Sequence, residues 1–133
     1  MSLVIYSDGG SRGNPGPSAY AIVVTKDGKV IHEYSEFLGT NTNNYAEYRG
    51  LIAAIGKALE LKEDDVEFIM DSELVIKQMR GEYKVKSANI MELHRDAKAL
   101  SSLIPNAKFT HVKRENSFVS RADALLNAEM DRH

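Results

Sequence analysis

The first third of the chain carries the apolar pattern of β-strands. Residues 3–7 form an apolar run that ends at Asp8, and residues 18–26 and 29–38 are rich in β-branched and aromatic side chains. The two longer runs flank Asp27-Gly28, a dipeptide typical of a two-residue hairpin turn. We therefore predict three strands here, of which the second and third pair antiparallel.

The rest of the chain alternates between helical and strand patterns. Leu51, Ile55 and Ala58 belong to an apolar stripe with three- and four-residue spacing, which predicts a helix. The same spacing recurs between residues 90 and 104, just before Pro105, and Gly81 is typical of a position beyond a helix end. We predict helices over about 45–61, 72–81, 90–104 and 120–131, and strands over 66–70 and 108–113.

This order of elements predicts an α/β fold with a five-stranded mixed sheet. An antiparallel meander of strands 1 to 3 would join parallel strands 4 and 5 through helical crossovers. The 133 residues fit one domain of ordinary size, and they contain no repeat, low-complexity tract or linker. We expect residues 1–133 to form a single domain.

Composition excludes several classes of protein. The chain has no cysteine, which rules out disulfides and thiolate metal sites, and its formal net charge is -2. No apolar run approaches the ~18 residues needed to cross a bilayer, and residues 1–25 lack a basic leader with a cleavage site. We expect a cytoplasmic protein with no membrane partner.

Four carboxylates stand out by their positions in the predicted elements. Asp8 and Asp71 each follow an apolar strand directly, so parallel neighbouring strands would place both at one edge of the sheet. Glu47 lies four residues before Leu51, on the apolar stripe of its helix, where an unpaired charge is costly. Asp123 comes early in the last predicted helix.

Each carboxylate also has a local structural explanation. Asn44 and Glu47 fit a capping box, with Asn44 as N-cap, and Ser120 and Asp123 fit the same pattern loosely. Asp71 is a suitable N-cap for the helix that follows it. Asp8 is a suitable first residue of a turn leading into a nine-residue loop, residues 9–17.

Taken together, the four carboxylates favour a cation site. Carboxylates gathered at one sheet edge repel, and they either take up protons or hold a cation. Oxygen ligands without cysteine or a paired-histidine motif indicate Mg²⁺ or Mn²⁺ rather than Zn²⁺. The glycine-rich stretch lacks the Gly-Lys-Ser/Thr ending of a P-loop, which disfavours a kinase or nucleotidase.

Three long motifs carry a family resemblance. "YSDGGSRGNPGP", "TNNYAEYRGLIAAI" and "MDSELVIKQMRGEYKVK", with the shorter "SRADALLNAEMD", occur in the order and spacing of type 1 ribonuclease H. The chain resembles the compact form of this family, found in archaea and many bacteria, over nearly its whole length. The resemblance implies the ribonuclease H fold and an endonuclease that cuts the RNA strand of RNA–DNA hybrids.

The resemblance also implies a catalytic site. Asp8, Glu47, Asp71 and Asp123 match the family's metal-binding tetrad, which holds two Mg²⁺ ions, with Mn²⁺ as a substitute. Two-metal hydrolysis of a phosphodiester would leave 5′-phosphate and 3′-hydroxyl ends. Two bound divalent ions would more than neutralise the net charge of -2, which makes a nucleic-acid partner compatible with an acidic chain.

Substrate contacts follow from the same motifs. The resemblance implies that amides of the glycine-rich stretch and the following helix read ribose 2′-hydroxyls, by which a protein distinguishes RNA from DNA. Thr42 matches a position near a DNA-strand phosphate, and Ser72 matches a backbone contact more loosely. The predicted substrate-binding residues are Gly9, Asn14, Thr42, Asn43, Asn44 and Ser72.

The chain departs from longer relatives in the loop after the fifth strand. Those relatives carry a histidine there, whereas this chain has Arg114 or Glu115 at that place, and we expect one of them to serve as an accessory residue. Two alternative functions stay open: a nuclease for double-stranded RNA or structured substrates, and a non-catalytic hybrid-binding module. We expect the protein to act as a monomer.

Overall fold

The computed structural model describes residues 3–133 as a five-stranded sheet with helices on both faces. Along the chain, the strands and helices are β1 Leu3–Ser11, β2 Gly16–Lys26, β3 Lys29–Asn41, α1 Asn43–Glu60, β4 Asp65–Met70, α2 Glu73–Met79, α3 Ala88–Ser101, β5 Asn106–His111 and α4 Ser117–Asp131.

The strand order across the sheet is β3-β2-β1-β4-β5. β1 pairs antiparallel with β2, and β2 pairs antiparallel with β3. β4 pairs parallel with both β1 and β5. The predicted mixed sheet, with an antiparallel meander and two parallel strands, is confirmed, and the carboxyl ends of β1, β4 and β5 meet at one edge.

Alternation along β2 divides the core between the two faces of the sheet, because successive side chains of a strand point to opposite sides. Ile22 and Val24 belong to an apolar cluster shared with α1, α2 and α3. Ala21 and Val23 belong to a second cluster, shared with Ala122, Leu126 and Met130 of α4. α4 therefore covers the face opposite to α1.

Two turns predicted from the sequence are confirmed by backbone geometry. Asp27 and Gly28 both have positive φ, at 54° and 77°, as the tight turn between antiparallel β2 and β3 requires. Gly81, with φ at 79°, follows the C-terminal end of α2. Glycine is favoured there because it adopts the left-handed region without a steric penalty.

The predicted nine-residue loop over 9–17 is wrong. β1 continues through Gly9 and Gly10 to Ser11, which pairs with Ser18, and β2 begins at Gly16, so the connection is residues 12–15 alone. Glycine is depleted in strands, which is why the sequence favours a loop. Asp8 consequently lies inside a strand, opposite Ala21, and does not begin a turn.

The helix caps also differ from the predicted ones. Thr42, not Asn44, caps α1 by accepting from the backbone N–H of Tyr45 at 3.2 Å. Ser72, not Asp71, caps α2. The cap of α4 is Asn116, four residues before the predicted one, so Ser120 and Asp123 lie within the helix. No helix within residues 3–133 is long and apolar enough to cross a membrane.

Candidate active site at the edge of the sheet

Asp8, in the second half of β1, lies beside Asp71, which directly follows β4. The parallel register of these strands pairs Tyr6 with Ile69. Continuing this register by two residues aligns Asp8 with Asp71. Asp8 is only 7% exposed. The predicted juxtaposition of these two acids therefore follows from strand register.

Glu47 is brought to Asp8 by unusually close packing of α1 on β1. A Cβ on Gly9 would lie 2.3 Å from the backbone oxygen of Ala46 and 2.5 Å from the backbone nitrogen of Glu47. One turn later, a Cβ on Gly50 would lie 3.2 Å from the backbone oxygen of Asp8. Glycine at both positions lets the two backbones approach, so that Glu47 is buried beside the strand that carries Asp8.

Asp123 reaches the same edge from the opposite face of the sheet. Its neighbour Ala122 and Leu126 are buried in the cluster between α4 and β2. Interaction with the Asp123 carboxyl raises the pKa of Asp8. All four predicted carboxylates therefore influence one another, since Asp71 and Glu47 also act on Asp8.

Burial dominates the electrostatics of the site. Burial raises the pKa of Asp8 from 3.8 to about 8, with the charges of Asp71, Asp123 and Glu47 adding to the increase. Burial likewise raises the pKa of Glu47 to about 7, assisted by Asp71. Asp8 therefore favours its protonated form at neutral pH, and Glu47 is divided about evenly between its two forms, unless a cation compensates their charge.

Ser72 and Arg114 oppose this tendency at Glu47. The side chain of Ser72 hydrogen-bonds to the Glu47 carboxylate, and the positive charge of Arg114 also lowers the Glu47 pKa. Nε of Arg114 lies 3.5 Å from Oδ2 of Asp71, although the Arg114 side chain is 84% exposed and that of Asp71 only 12%. Of the two predicted accessory residues, Arg114 therefore contacts the site, while Glu115 is exposed.

The carboxylates suit a hard divalent cation by their chemistry. They supply anionic oxygen atoms from β1, α1, α4 and the end of β4, and Mg²⁺ prefers oxygen ligands. Among residues 3–133, however, no three of the acidic or histidine side chains stand close enough to form a complete ligand cluster. Metal binding would therefore require the carboxylates to draw closer together.

The predicted amide residues form a connected group beside the site. Asn43 donates its backbone N–H to Oδ1 of Asn14 at 3.0 Å, and its own Oδ1 accepts from the backbone N–H of Ser11 at 3.2 Å. These bonds join the 12–15 loop to the start of α1. Gly9 and Ser72 have structural roles as well, the first in packing and the second as a helix cap.

An open cavity of about 560 Å³ lies next to Asn44. The residues that line it do not include Asp8, Glu47, Asp71 or Asp123. Its rim includes Tyr83, Lys84 and Lys86, from the connection between α2 and α3. No local sequence pattern predicts this cavity, because tertiary packing alone brings Asn44 to residues 74–90.

Comparison with known proteins extends over nearly the whole chain. Residues 6–127 match the family model described as reverse transcriptase-like. A bifunctional protein of Mycobacterium tuberculosis is 44% identical over 133 residues, which are 98% of this chain and 36% of that protein. The chain thus spans about a third of the length of this relative.

Two solved structures share both fold and sequence. Ribonuclease H1 of Halobacterium salinarum superposes with a TM-score of 0.93 at 36% identity, covering 100% of each chain. The ribonuclease H1 designated LC11, solved with an RNA/DNA hybrid, gives 0.91 at 40% identity, covering 98% of this chain and 97% of the other. The chain therefore belongs to the reverse transcriptase-like family and, within it, to the compact type 1 ribonucleases H.

Proposed function

We propose that the protein is an endoribonuclease that hydrolyses the RNA strand of RNA–DNA hybrids and leaves 5′-phosphate and 3′-hydroxyl ends. The observation that carries this proposal is the meeting of Asp8, Glu47, Asp71 and Asp123 at one sheet edge, with two of them buried. Clustered negative charge would weaken a surface that only bound nucleic acid. Its presence favours an enzyme over a binding module.

The same four residues would hold Mg²⁺, with two ions in the site and Mn²⁺ able to replace them. When bound, the metal supplies an activated water nucleophile and stabilises charge on the leaving oxygen. The other three acids all raise the pKa of Asp8, which makes Asp8 the natural shared ligand. The raised pKa of Asp8 and Glu47 means that protons compete with the metal for these oxygens.

Hybrid recognition is assigned to the surface beside the carboxylates. The LC11 relative was solved in complex with an RNA/DNA hybrid, which supports a hybrid as the partner of this chain. Asn14, Asn43 and Asn44 would read ribose hydroxyls, and exposed Thr42 would meet a phosphate of the DNA strand. Gly9 and Ser72 would contribute backbone contacts. Thr42 has a second task, since its hydroxyl also caps α1.

Arg114 would act as the accessory residue in place of the histidine of longer relatives. Its contact with Asp71 and its effect on the Glu47 pKa support this role, because Arg114 would then supply a positive charge near the scissile phosphate. We further propose that residues 1–133 form a single catalytic domain that works as a monomer in the cytoplasm.

Asp71→Asn tests this function most directly. The substitution keeps the size of the side chain but removes one ligand charge, so we expect cleavage of a labelled hybrid in Mg²⁺ to fall by about 10³-fold. Because Ser72 caps α2, the fold should be unaffected, and circular dichroism and melting temperature serve as the check. Asp64→Asn, an exposed acid at the other end of β4, is the matched control and should retain full activity.

The same assay separates the alternative functions. Parent protein should cut the RNA strand of the hybrid and leave double-stranded DNA intact, while efficient cleavage of double-stranded RNA would assign the second nuclease function. Binding without cleavage by a folded parent would indicate a non-catalytic module. A folded Asp71→Asn variant with parental turnover would contradict the proposed tetrad.

A further inference from the structure

Arg12 connects the 12–15 loop to the helix that carries Asp123. Its Nη2 atom lies 2.7 Å from Oδ1 of Asp131. The same nitrogen is 3.3 Å from both the backbone oxygen and the side-chain Oδ1 of Asn127, to which it donates. Positions 12 and 127 are far apart in the chain, so no local pattern predicts this contact.

Asn127 carries the connection to Asp123. While its Oδ1 accepts from Arg12, its Nδ2 donates to the backbone oxygen of Asp123 at 2.9 Å. The amide is thus held at both ends. An asparagine side chain inside a helix ordinarily competes with helical hydrogen bonds. Here its orientation links the guanidinium of Arg12 to the turn of α4 that carries Asp123.

The loop that carries Arg12 is itself anchored. The backbone N–H of Arg12 donates to the oxygen of Pro17 at 2.8 Å. Two residues later, Oδ1 of Asn14 accepts from the backbone of Asn43 at the start of α1. The side chain of Arg12 therefore extends from a fixed support, which a positioning residue requires.

We propose that Arg12 is a positioning residue that, through Asn127, fixes the turn of α4 carrying Asp123 for metal binding. The inference rests on the proposed function, in which Asp123 is a metal ligand. Loss of the Arg12 side chain would leave Asp123 present but less constrained. Partners that orient metal ligands contribute to metal affinity without touching the ion.

Direct phosphate binding is the competing role for Arg12, because the residue is exposed and lies beside the proposed hybrid surface. A phosphate contact predicts weaker hybrid binding with a shallower dependence on salt, and an unchanged affinity for Mg²⁺. The existing partners of Nη2, an amide oxygen, a carbonyl and a carboxylate, favour positioning.

The test compares Arg12→Ala with Arg132→Ala. Arg132 is a matched control because it is also exposed and also pairs with an acid of α4, Glu129. The melting temperature of each variant is measured during a Mg²⁺ titration without nucleic acid. We expect Arg12→Ala to raise the Mg²⁺ midpoint by about two- to fivefold, since the contact is exposed, and Arg132→Ala to leave it unchanged.

A second variant guards against a simple folding defect. Arg12→Lys keeps the charge beside Asp131 but lacks the planar fork, so its midpoint should lie between those of the parent and Arg12→Ala. Hybrid binding in EDTA at several salt concentrations is measured in parallel. Cleavage by Arg12→Ala should return to the parental rate at saturating Mg²⁺.

The outcomes are distinguishable. A parental Mg²⁺ midpoint in Arg12→Ala overturns the inference, whether the variant shows a shallower salt dependence of hybrid binding or only a lower melting temperature. A parent protein that gains no stability from Mg²⁺ overturns the metal site, and with it both the proposed function and this inference. A parent that binds Mg²⁺ but does not cleave contradicts the proposed function alone.

Discussion

The two sides of the site are held in place by different interactions. On the α1 side, backbone contact at Gly9 and Gly50 fixes Asp8 and Glu47, and both acids are buried. On the α4 side, Asp123 is partly exposed, and polar contacts at the surface add to the packing of its helix. These contacts are Arg12 with Asn127 and Asp131, Arg121 with Glu33, and Ser35 with Glu129.

Because of this difference, we expect one side of the site to determine stability and the other to determine metal affinity. Exposed ion pairs contribute only about 0–1 kcal/mol each, so the polar contacts of the α4 side can rearrange at little cost. Close packing resists displacement, and burial makes the charges of Asp8 and Glu47 unfavourable in the metal-free protein. Substitutions on the α1 side should therefore change the free energy of unfolding most, and those on the α4 side should change metal affinity.

Gly9→Ala should have the largest effect. The added Cβ would lie 2.3 Å from a backbone oxygen of α1, and backbone cannot move aside as a flexible side chain can. We expect the free energy of unfolding to fall by about 2–4 kcal/mol, measured by urea denaturation. Hybrid cleavage should fall as well, since Glu47 would move away from Asp8.

Gly56→Ala is the matched control, because Gly56 lies within α1 and a Cβ there meets nothing within 4 Å. Alanine is the better helix former, so this variant should gain about 0.5–1 kcal/mol. If Gly9→Ala were as stable as the parent, packing would not be what positions Glu47.

The second prediction concerns pH. Burial raises the Asp8 pKa from 3.8 to about 8, so the folded state binds the proton more tightly than the unfolded state does. The free energy of unfolding of the metal-free protein should therefore be greatest in acid and fall as pH rises from about 4 to about 8. Asp8→Asn should remove most of this slope and stabilise the protein at pH 8 by on the order of 2–4 kcal/mol.

Asp123→Asn distinguishes the two sides in the same experiment. Burial is the largest cause of the raised Asp8 pKa, and Asp123 adds less, so this variant should keep most of the slope. Saturating Mg²⁺ should stabilise the parent more at pH 8 than at pH 5, because protons and metal compete for the same oxygens. Thermal denaturation measures how stability depends on pH in each variant. If the parent and Asp8→Asn showed the same dependence, the idea of a buried ionisable Asp8 would be contradicted.

How far the sequence predicted this molecule depends on how local each signal is. The hairpin at Asp27-Gly28, the helix end at Gly81 and the alignment of Asp8 with Asp71 were predictable, because each follows from residues adjacent to an apolar run. The mixed sheet follows from the same pattern, since strands and helices alternate in the order that parallel crossovers require.

The helix caps and the glycine-rich strand were not predictable in this way. Asn43 can begin α1 after Thr42 because its N–H is bonded to Asn14 and its side chain to Ser11, both about 30 positions away. Gly9 and Gly10 are held in the strand by pairing with Tyr20 and Ala19 of β2, and α1 packs closely against Gly9. Both features depend on contacts between distant segments, whereas a sequence pattern reflects only residues that are close together in the chain.

The smallest predicted effect comes from the N-cap residues of the two helices, one on each side of the site. Thr42 caps α1 on the packed side, and Asn116 caps α4 on the polar side by accepting from the backbone N–H groups of Phe118 and Val119. Replacing either residue by Ala should cost about 1 kcal/mol in the free energy of unfolding, because one or two N–H groups lose a partner. The two variants should therefore unfold at similar urea concentrations.

Their Mg²⁺ midpoints should nevertheless differ. Fraying at Asn116 loosens the first turn of the helix that carries Asp123, and polar contacts at the surface add to the packing that orients that helix. We expect Asn116→Ala to raise the midpoint by about twofold, and Thr42→Ala to leave it unchanged, because Glu47 is held by packing against Gly9. Equal midpoints, measured by thermal shift without nucleic acid, would show that both sides position their carboxylates in the same way.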